Sequence, residues 1–146
     1  MLKETAMVTV GHAIQLSVAP VFLLSGIGAM LAVLTNRLAR VVDVARSVEA
    51  RLALADPAEA ALLHDNVKMF SRRAKLINVA ITFSTITAIL ICAVVALLFI
   101  AAFLAFDASV PIAILFVAGM STFILALLFF LREIFLATAS LRIGPH

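Results

Sequence analysis

Acid–base or nucleophilic catalysis needs a base held close to a proton donor or a nucleophile, and this sequence offers few such groups. Its histidines, His12, His64 and His146, lie far apart, and its single cysteine, Cys92, stands inside an apolar run. No His or Cys spacing matches a metal-ligand motif, and no glycine-rich phosphate loop is present. His12 and Asp107 could meet at one end of the apolar runs, although a histidine exposed there is ordinarily only solvated. Membrane enzymes and proton-coupled transporters usually carry ionisable residues within their spans. The three apolar runs here, residues 13–34, 76–106 and 111–131, carry no Asp, Glu, Lys, Arg or His. The expectation is a protein that is not an enzyme, with no catalytic residues, metal site or cofactor.

The remaining polar groups decorate apolar helices. In the first run Gln15, Ser17, Ser25, Gly26 and Gly28 make one helix small and polar. They could line a pore in an oligomer. Taken one at a time they are better explained by close packing, since Ser25 with Ala29 and Gly28 with Ala32 form small-xxx-small pairs. In the second run Ser84, Ala88, Cys92 and Ala96 form a small stripe beside Thr82, Thr85 and Thr87, whose hydroxyls can bond back to the helix. At the end of the first run stand Asn36, Arg37 and Arg40, and before the second stand Arg72, Arg73 and Lys75. Contact with anionic lipid headgroups accounts for most of these charges. Asn36, Arg37 and Arg40, repeated around a symmetric ring, would form an inner pore mouth, while Arg72, Arg73 and Lys75 are candidates for headgroup or partner binding. Asp43 can pair with Arg40 or Arg46 along the helix.

These residues must be positioned by a membrane fold. Of 146 residues 65% are apolar and 13% charged, with a mean hydropathy of +1.24, far from the composition of soluble domains. Each run is long enough to cross a hydrocarbon core of ~30 Å, placing spans at about 13–35, 77–106 and 111–131 of a single membrane domain. Eight of the eleven basic residues fall between Arg37 and Lys75, which assigns that segment to the cytoplasm. The net charge of +3 therefore reflects topology and not nucleic-acid binding. The connection at 107–110 carries no basic residue and is expected outside, with Arg132 and Arg142 returning the C-terminus inside. Lys3 ahead of an apolar run resembles a secretory signal, but Glu4 offsets it, no small-residue cleavage site closes the run, and Arg37 and Arg40 act as a stop-transfer signal.

The segment between the first two spans keeps a regular pattern. Leu31, Leu34, Leu38, Val41, Ala45, Val48 and Leu52 alternate spacings of three and four, and so do Leu63, Val67, Phe70, Ala74, Ile77 and Ile81. Between them, Asp56 can cap a helix, Pro57 suits its first position and Glu59 completes a capping box. The pattern predicts one helix from about 14 to 54 and another from 57 to about 106, forming a cytoplasmic antiparallel helical hairpin over about 36–76. Pro20 either kinks the first helix or marks its start. Asp107 or Ser109 can cap the third helix, with Pro111 in its first turn. The tail at 134–143 either extends that helix or lies along the interface, and Gly144 and Pro145 end it.

The runs 13–29 (AIQLSVAPVFLLSGIGA), 34–43 (LTNRLARVVD) and 72–78 (RRAKLIN) resemble a bacterial membrane family catalogued as domain of unknown function 2721. The resemblance covers nearly the whole chain and implies an all-α bacterial inner-membrane protein with three spans. It brings no activity, cofactor or catalytic residue. Three helices are too few to enclose a channel alone, so the leading expectation is a homo-oligomeric pore with the first span near its axis. The alternative is a membrane-anchored accessory or scaffold protein that binds a protein partner through its cytoplasmic hairpin.

Overall fold

The structure is a computed structural model that describes residues 1–141, with side chains over 1–140. Three helices account for nearly all of it: α1 (Leu2–Leu52), α2 (Pro57–Leu104) and α3 (Ser109–Leu141), with no strand among the described residues. Their 51, 48 and 33 residues correspond to lengths of about 75, 70 and 50 Å. All three are long and apolar enough to cross a membrane. Only 17% of the most apolar stretch of α1 and of α2, and 11% of that of α3, is buried within the chain. An apolar surface left so largely uncovered requires lipid as its solvent, and the chain is a multi-pass membrane protein.

Helix α1 begins twelve residues before the expected start. Thr5 and Thr9 hydroxyls bond the carbonyls of Met1 and Thr5 there, and the helix runs through Pro20 without a break, so Pro20 does not mark its start. The turn at 53–56 closes through i→i+3 bonds from Leu54 to Arg51 and from Ala55 to Leu52, while the Asp56 carbonyl accepts the Ala60 amide. Asp56 thus holds the cap position and Pro57 the first helical one, where its missing N–H costs nothing. Glu59 pairs with Arg51 at 3.9 Å across the turn. Helix α2 ends at Leu104 because Ala105 takes a left-handed conformation, φ 54°. The third helix does take up the apolar tail, as far as Leu141. The expectations for Arg142, Gly144, Pro145 and His146 fall outside the described residues.

Two compact units form, one from residues 1–31 and 83–124 and the other from 32–82 and 125–146. In the first, the buried helical positions are Ala13, Ser17, Pro20 and Ile27 of α1, Ser84, Thr87, Ile91 and Val94 of α2, and Gly119 of α3, with Ala108 buried in the connection before α3. Gly119 lets α3 approach α2 closely: a Cβ there would stand 3.2 Å from Ile91 Cδ1. Beside it the Thr87 and Thr122 hydroxyls share a 2.8 Å hydrogen bond. Thr82 and Thr87 also bond back to the carbonyls of Asn78 and Phe83, as their position in an apolar helix demands. The Ser84 hydroxyl is buried with no hydrogen-bond partner among the described residues. Cys92 is a free thiol on the exposed side of α2.

In the second unit the three-and-four rows, from Leu34 to Leu52 and from Leu63 to Ile81, are buried or half-buried throughout, with Leu34, Val41, Leu63 and Ile77 the most enclosed. The inward rows repeat at seven residues. Ala13, Pro20, Ile27, Leu34 and Val41 follow this period on α1, Ala80, Thr87 and Val94 on α2, and Gly119, Ala126 and Glu133 on α3. A seven-residue period keeps one narrow stripe of a long helix turned inward.

Candidate functional site

Two of these inward rows carry charge where the pattern calls for an aliphatic side chain. On α2, Arg73 stands seven residues before Ala80, and on α3, Glu133 stands seven after Ala126. Both belong to the second unit, as does Arg37, which is half-buried on α1 between Leu34 and Val41. The three meet. Arg37 donates to Glu133 Oε2 from Nη2 at 2.7 Å and from Nε at 3.1 Å. Arg73 donates to Oε1 from Nη2 at 3.0 Å and from Nε at 3.1 Å. Each guanidinium therefore gives one edge to one oxygen, and the carboxylate receives four charge-assisted bonds.

The Glu133 side chain is completely buried, whereas those of Arg73 and Arg37 are 17% and 34% exposed. A carboxylate without partners at such a place would cost several kcal/mol through lost hydration. Two guanidiniums offset that cost and leave a local excess of one positive charge. Aromatic rings cover their carbon faces: Arg37 lies 5.5 Å from the centroid of Phe130, and Arg73 lies 6.0 Å from that of Phe70. The cluster ties one residue of each helix to the others. Nothing in it resembles a nucleophile beside a base.

The expected site residues divide among different environments. Arg37 and Arg73 come together on Glu133, while Asn36, Arg40, Arg72 and Lys75 stay exposed. On α1, Gln15, Ser25 and Gly28 are exposed, and only Ser17 turns inward, donating to the Ile14 carbonyl at 2.8 Å. A Cβ added at Gly26 or Gly28 would meet nothing within 4 Å, so neither glycine serves close packing within one chain. Among the described residues Asp43 makes no ion pair with Arg40 or Arg46, and His12 makes none with Asp107. Asp107 instead accepts the Ser109 amide at 2.9 Å and the Ser109 hydroxyl. These bonds, the hydroxyl first, hold its carboxyl below the ordinary value of 3.8. No group of three or more His, Cys, Asp or Glu gathers among the described residues.

Sequence reasoning passed over Glu133. It lies two residues beyond the apolar run that ends at Leu131, and its neighbour Arg132 reads as an ordinary span-end cation. A signal was nonetheless present. Glu133 is the lone acid between the aromatic run at Phe129 and Phe130 and the apolar tail Ile134, Phe135 and Leu136, and it continues the seven-residue row of Gly119 and Ala126.

Neither the curated proteins nor the solved structures contain a match to this chain. A family model described as protein of unknown function (DUF2721) matches residues 17–143, from the first span through the cluster at Glu133. The chain belongs to that family.

Proposed function

We propose that this chain is a non-enzymatic protein of the bacterial inner membrane that works as an assembly of identical copies, with the outward face of α1 turned to a shared axis. The observation behind this reading is the contrast between the two sides of α1. One side buries Ala13, Pro20, Ile27, Leu34 and Val41, and the other exposes Gln15, Phe22, Ala29 and Asn36, also seven apart, with Ser25 and Ala32 alongside. A helix facing only lipid has no use for Gln, Ser and Asn on its exposed side, whereas a helix facing a copy of itself or a water-filled axis does. In this arrangement Gln15, Ser25, Gly28 and Asn36 line the axis and Arg40 stands at the inner mouth. Arg37 leaves the pore-lining set, because Glu133 already engages it.

The positive residues between Arg37 and Lys75 put the turn at 53–56 in the cytoplasm, the start of α1 outside and the end of α3 inside. The deciding experiment is the native mass of the purified protein in detergent, followed by ion flux through liposomes containing it. A ring of copies whose flux or ion preference changes in Arg40→Gln supports the pore. A monomer, or a ring that conducts nothing, removes it.

One observation favours the accessory reading. Next to the turn, Leu54 and Leu62 are 92% and 70% exposed in the segment read as cytoplasmic, and exposed leucines in water suit a protein partner. Under this reading Leu54→Ser abolishes co-purification with a fixed partner and leaves the native mass of the chain alone unchanged.

A further inference from the structure

Because Glu133 engages Arg73, the cations available to a ligand near the start of the second span are a different set from the one the sequence marks. Arg72 and Lys75 of α2 and Arg132 of α3 are exposed and make no ion pair among the described residues. They line one groove of about 340 Å³ between the two helices, together with Leu76, Val79 and Leu136. The geometry points to this groove as a binding site for one anionic phospholipid, with its phosphate between Arg72, Lys75 and Arg132 and an acyl chain along Leu76 and Val79.

Three features select a lipid over other occupants. The groove is amphipathic in the right sense, since the apolar run of α2 begins at residue 76 and that of α3 ends at 131. Its charged end therefore meets the headgroup layer while its apolar end enters the hydrocarbon. Its cations come from two helices, so one phosphate can be held from both sides, and Arg132 sits next to the residue that anchors α3 to α1 and α2. An adjoining groove of about 650 Å³ shares Arg72, Lys75 and Leu136 and adds Lys68 against a single acid, Asp65, so the positive balance continues toward the water. The inference does not depend on whether copies assemble.

The test is native mass spectrometry of the full chain in detergent titrated with dioleoylphosphatidylglycerol or dioleoylphosphatidylcholine. The site predicts one saturable phosphatidylglycerol per chain, held more tightly than phosphatidylcholine. Each cation removed weakens binding roughly fivefold: Arg132→Gln by about that factor, and Arg72→Gln with Lys75→Gln by about 25-fold. Arg132→Lys restores most of the affinity, and Arg51→Gln, at the turn where Arg51 pairs with Glu59, leaves it unchanged. Equal binding of the two lipids overturns the site, as does an Arg51→Gln loss matching that of Arg132→Gln. Displacement of the lipid by millimolar inorganic phosphate also overturns it, because the acyl chain would then contribute nothing. Circular dichroism and elution volume of each variant separate lost binding from lost folding.

Discussion

Arg37 and Arg73 are 36 residues apart in the chain, and each places the Nε–Nη2 edge of its guanidinium on a different oxygen of one carboxylate, that of Glu133. Neither arginine can leave without stranding part of the charge of a completely buried acid. The relationship makes one level of the three helices a single electrostatic unit, and several measurable consequences follow from it and from the neighbouring geometry.

Removing Glu133 separates two effects. Glu133→Ala leaves two guanidiniums facing each other across a cavity, and breaking a buried pair in this way costs about 3–5 kcal/mol. The partial exposure of Arg37 and Arg73 allows both to rehydrate, so the lower end of that range is expected. Glu133→Asp keeps the charge at shorter reach and loses less. Denaturant unfolding in detergent measures both, and Glu133→Ala combined with Arg73→Ala should lose clearly less than the sum of the single changes. Additive losses would mean the cluster contributes no coupling.

Gly28 distinguishes packing within a chain from packing between chains. A Cβ there meets nothing within 4 Å and Gly28 is exposed, so Gly28→Leu should leave the unfolding midpoint of the isolated chain equal to or above that of the wild type, with a helix-propensity gain of up to about 1 kcal/mol. If the exposed face of α1 joins copies, the same variant shifts the native mass from oligomer to monomer. An unchanged oligomer would place the contact on another face.

At the end of α2, Ala105 holds a left-handed backbone, φ 54°, which a Cβ disfavours by about 1 kcal/mol. Ala105→Gly should therefore stabilise the protein by about 0.5–1 kcal/mol, read as a rise in thermal midpoint. A loss of stability would show that the alanine methyl makes contacts worth more than the strain.

Asp107 gives the connection between α2 and α3 a dependence on pH. Its bonds to Ser109 depress the folded pKa below 3.8, so the stabilisation is fully present above that ordinary value and fades as pH falls through the depressed one. The stability difference between the wild type and Asp107→Asn should be flat from neutral pH down to about 5 and shrink below 4. The carboxyl resonance of Asp107, followed by NMR in micelles, should titrate at lower pH than in Ser109→Ala.

The architecture was readable in the residues because its causes are local. Apolar runs longer than a bilayer is thick require helices, and Asp56 with Pro57 stops one helix and starts the next wherever they fall in a chain. The three-and-four rows from Leu31 to Leu52 and from Leu63 to Ile81 likewise named the residues that turn inward. The start of α1 at Leu2 was not legible, since residues 2–12 lack the unbroken apolar character that marks a span and begin with a Lys3–Glu4 pair.

The sequence by itself determined how many helices there are, where they turn and which stripe faces inward over 31–52 of α1 and 63–81 of α2, because hydrophobic period and capping act within a few residues. Only the tertiary structure decided which charges meet. Arg37, Arg73 and Glu133 lie on three different helices, and no spacing relates them. Their pairing follows from the demand that a buried carboxylate find partners across the helices. That one pairing withdraws Arg37 and Arg73 from solvent roles and leaves Arg40, Arg72, Lys75 and Arg132 as the exposed cations around it.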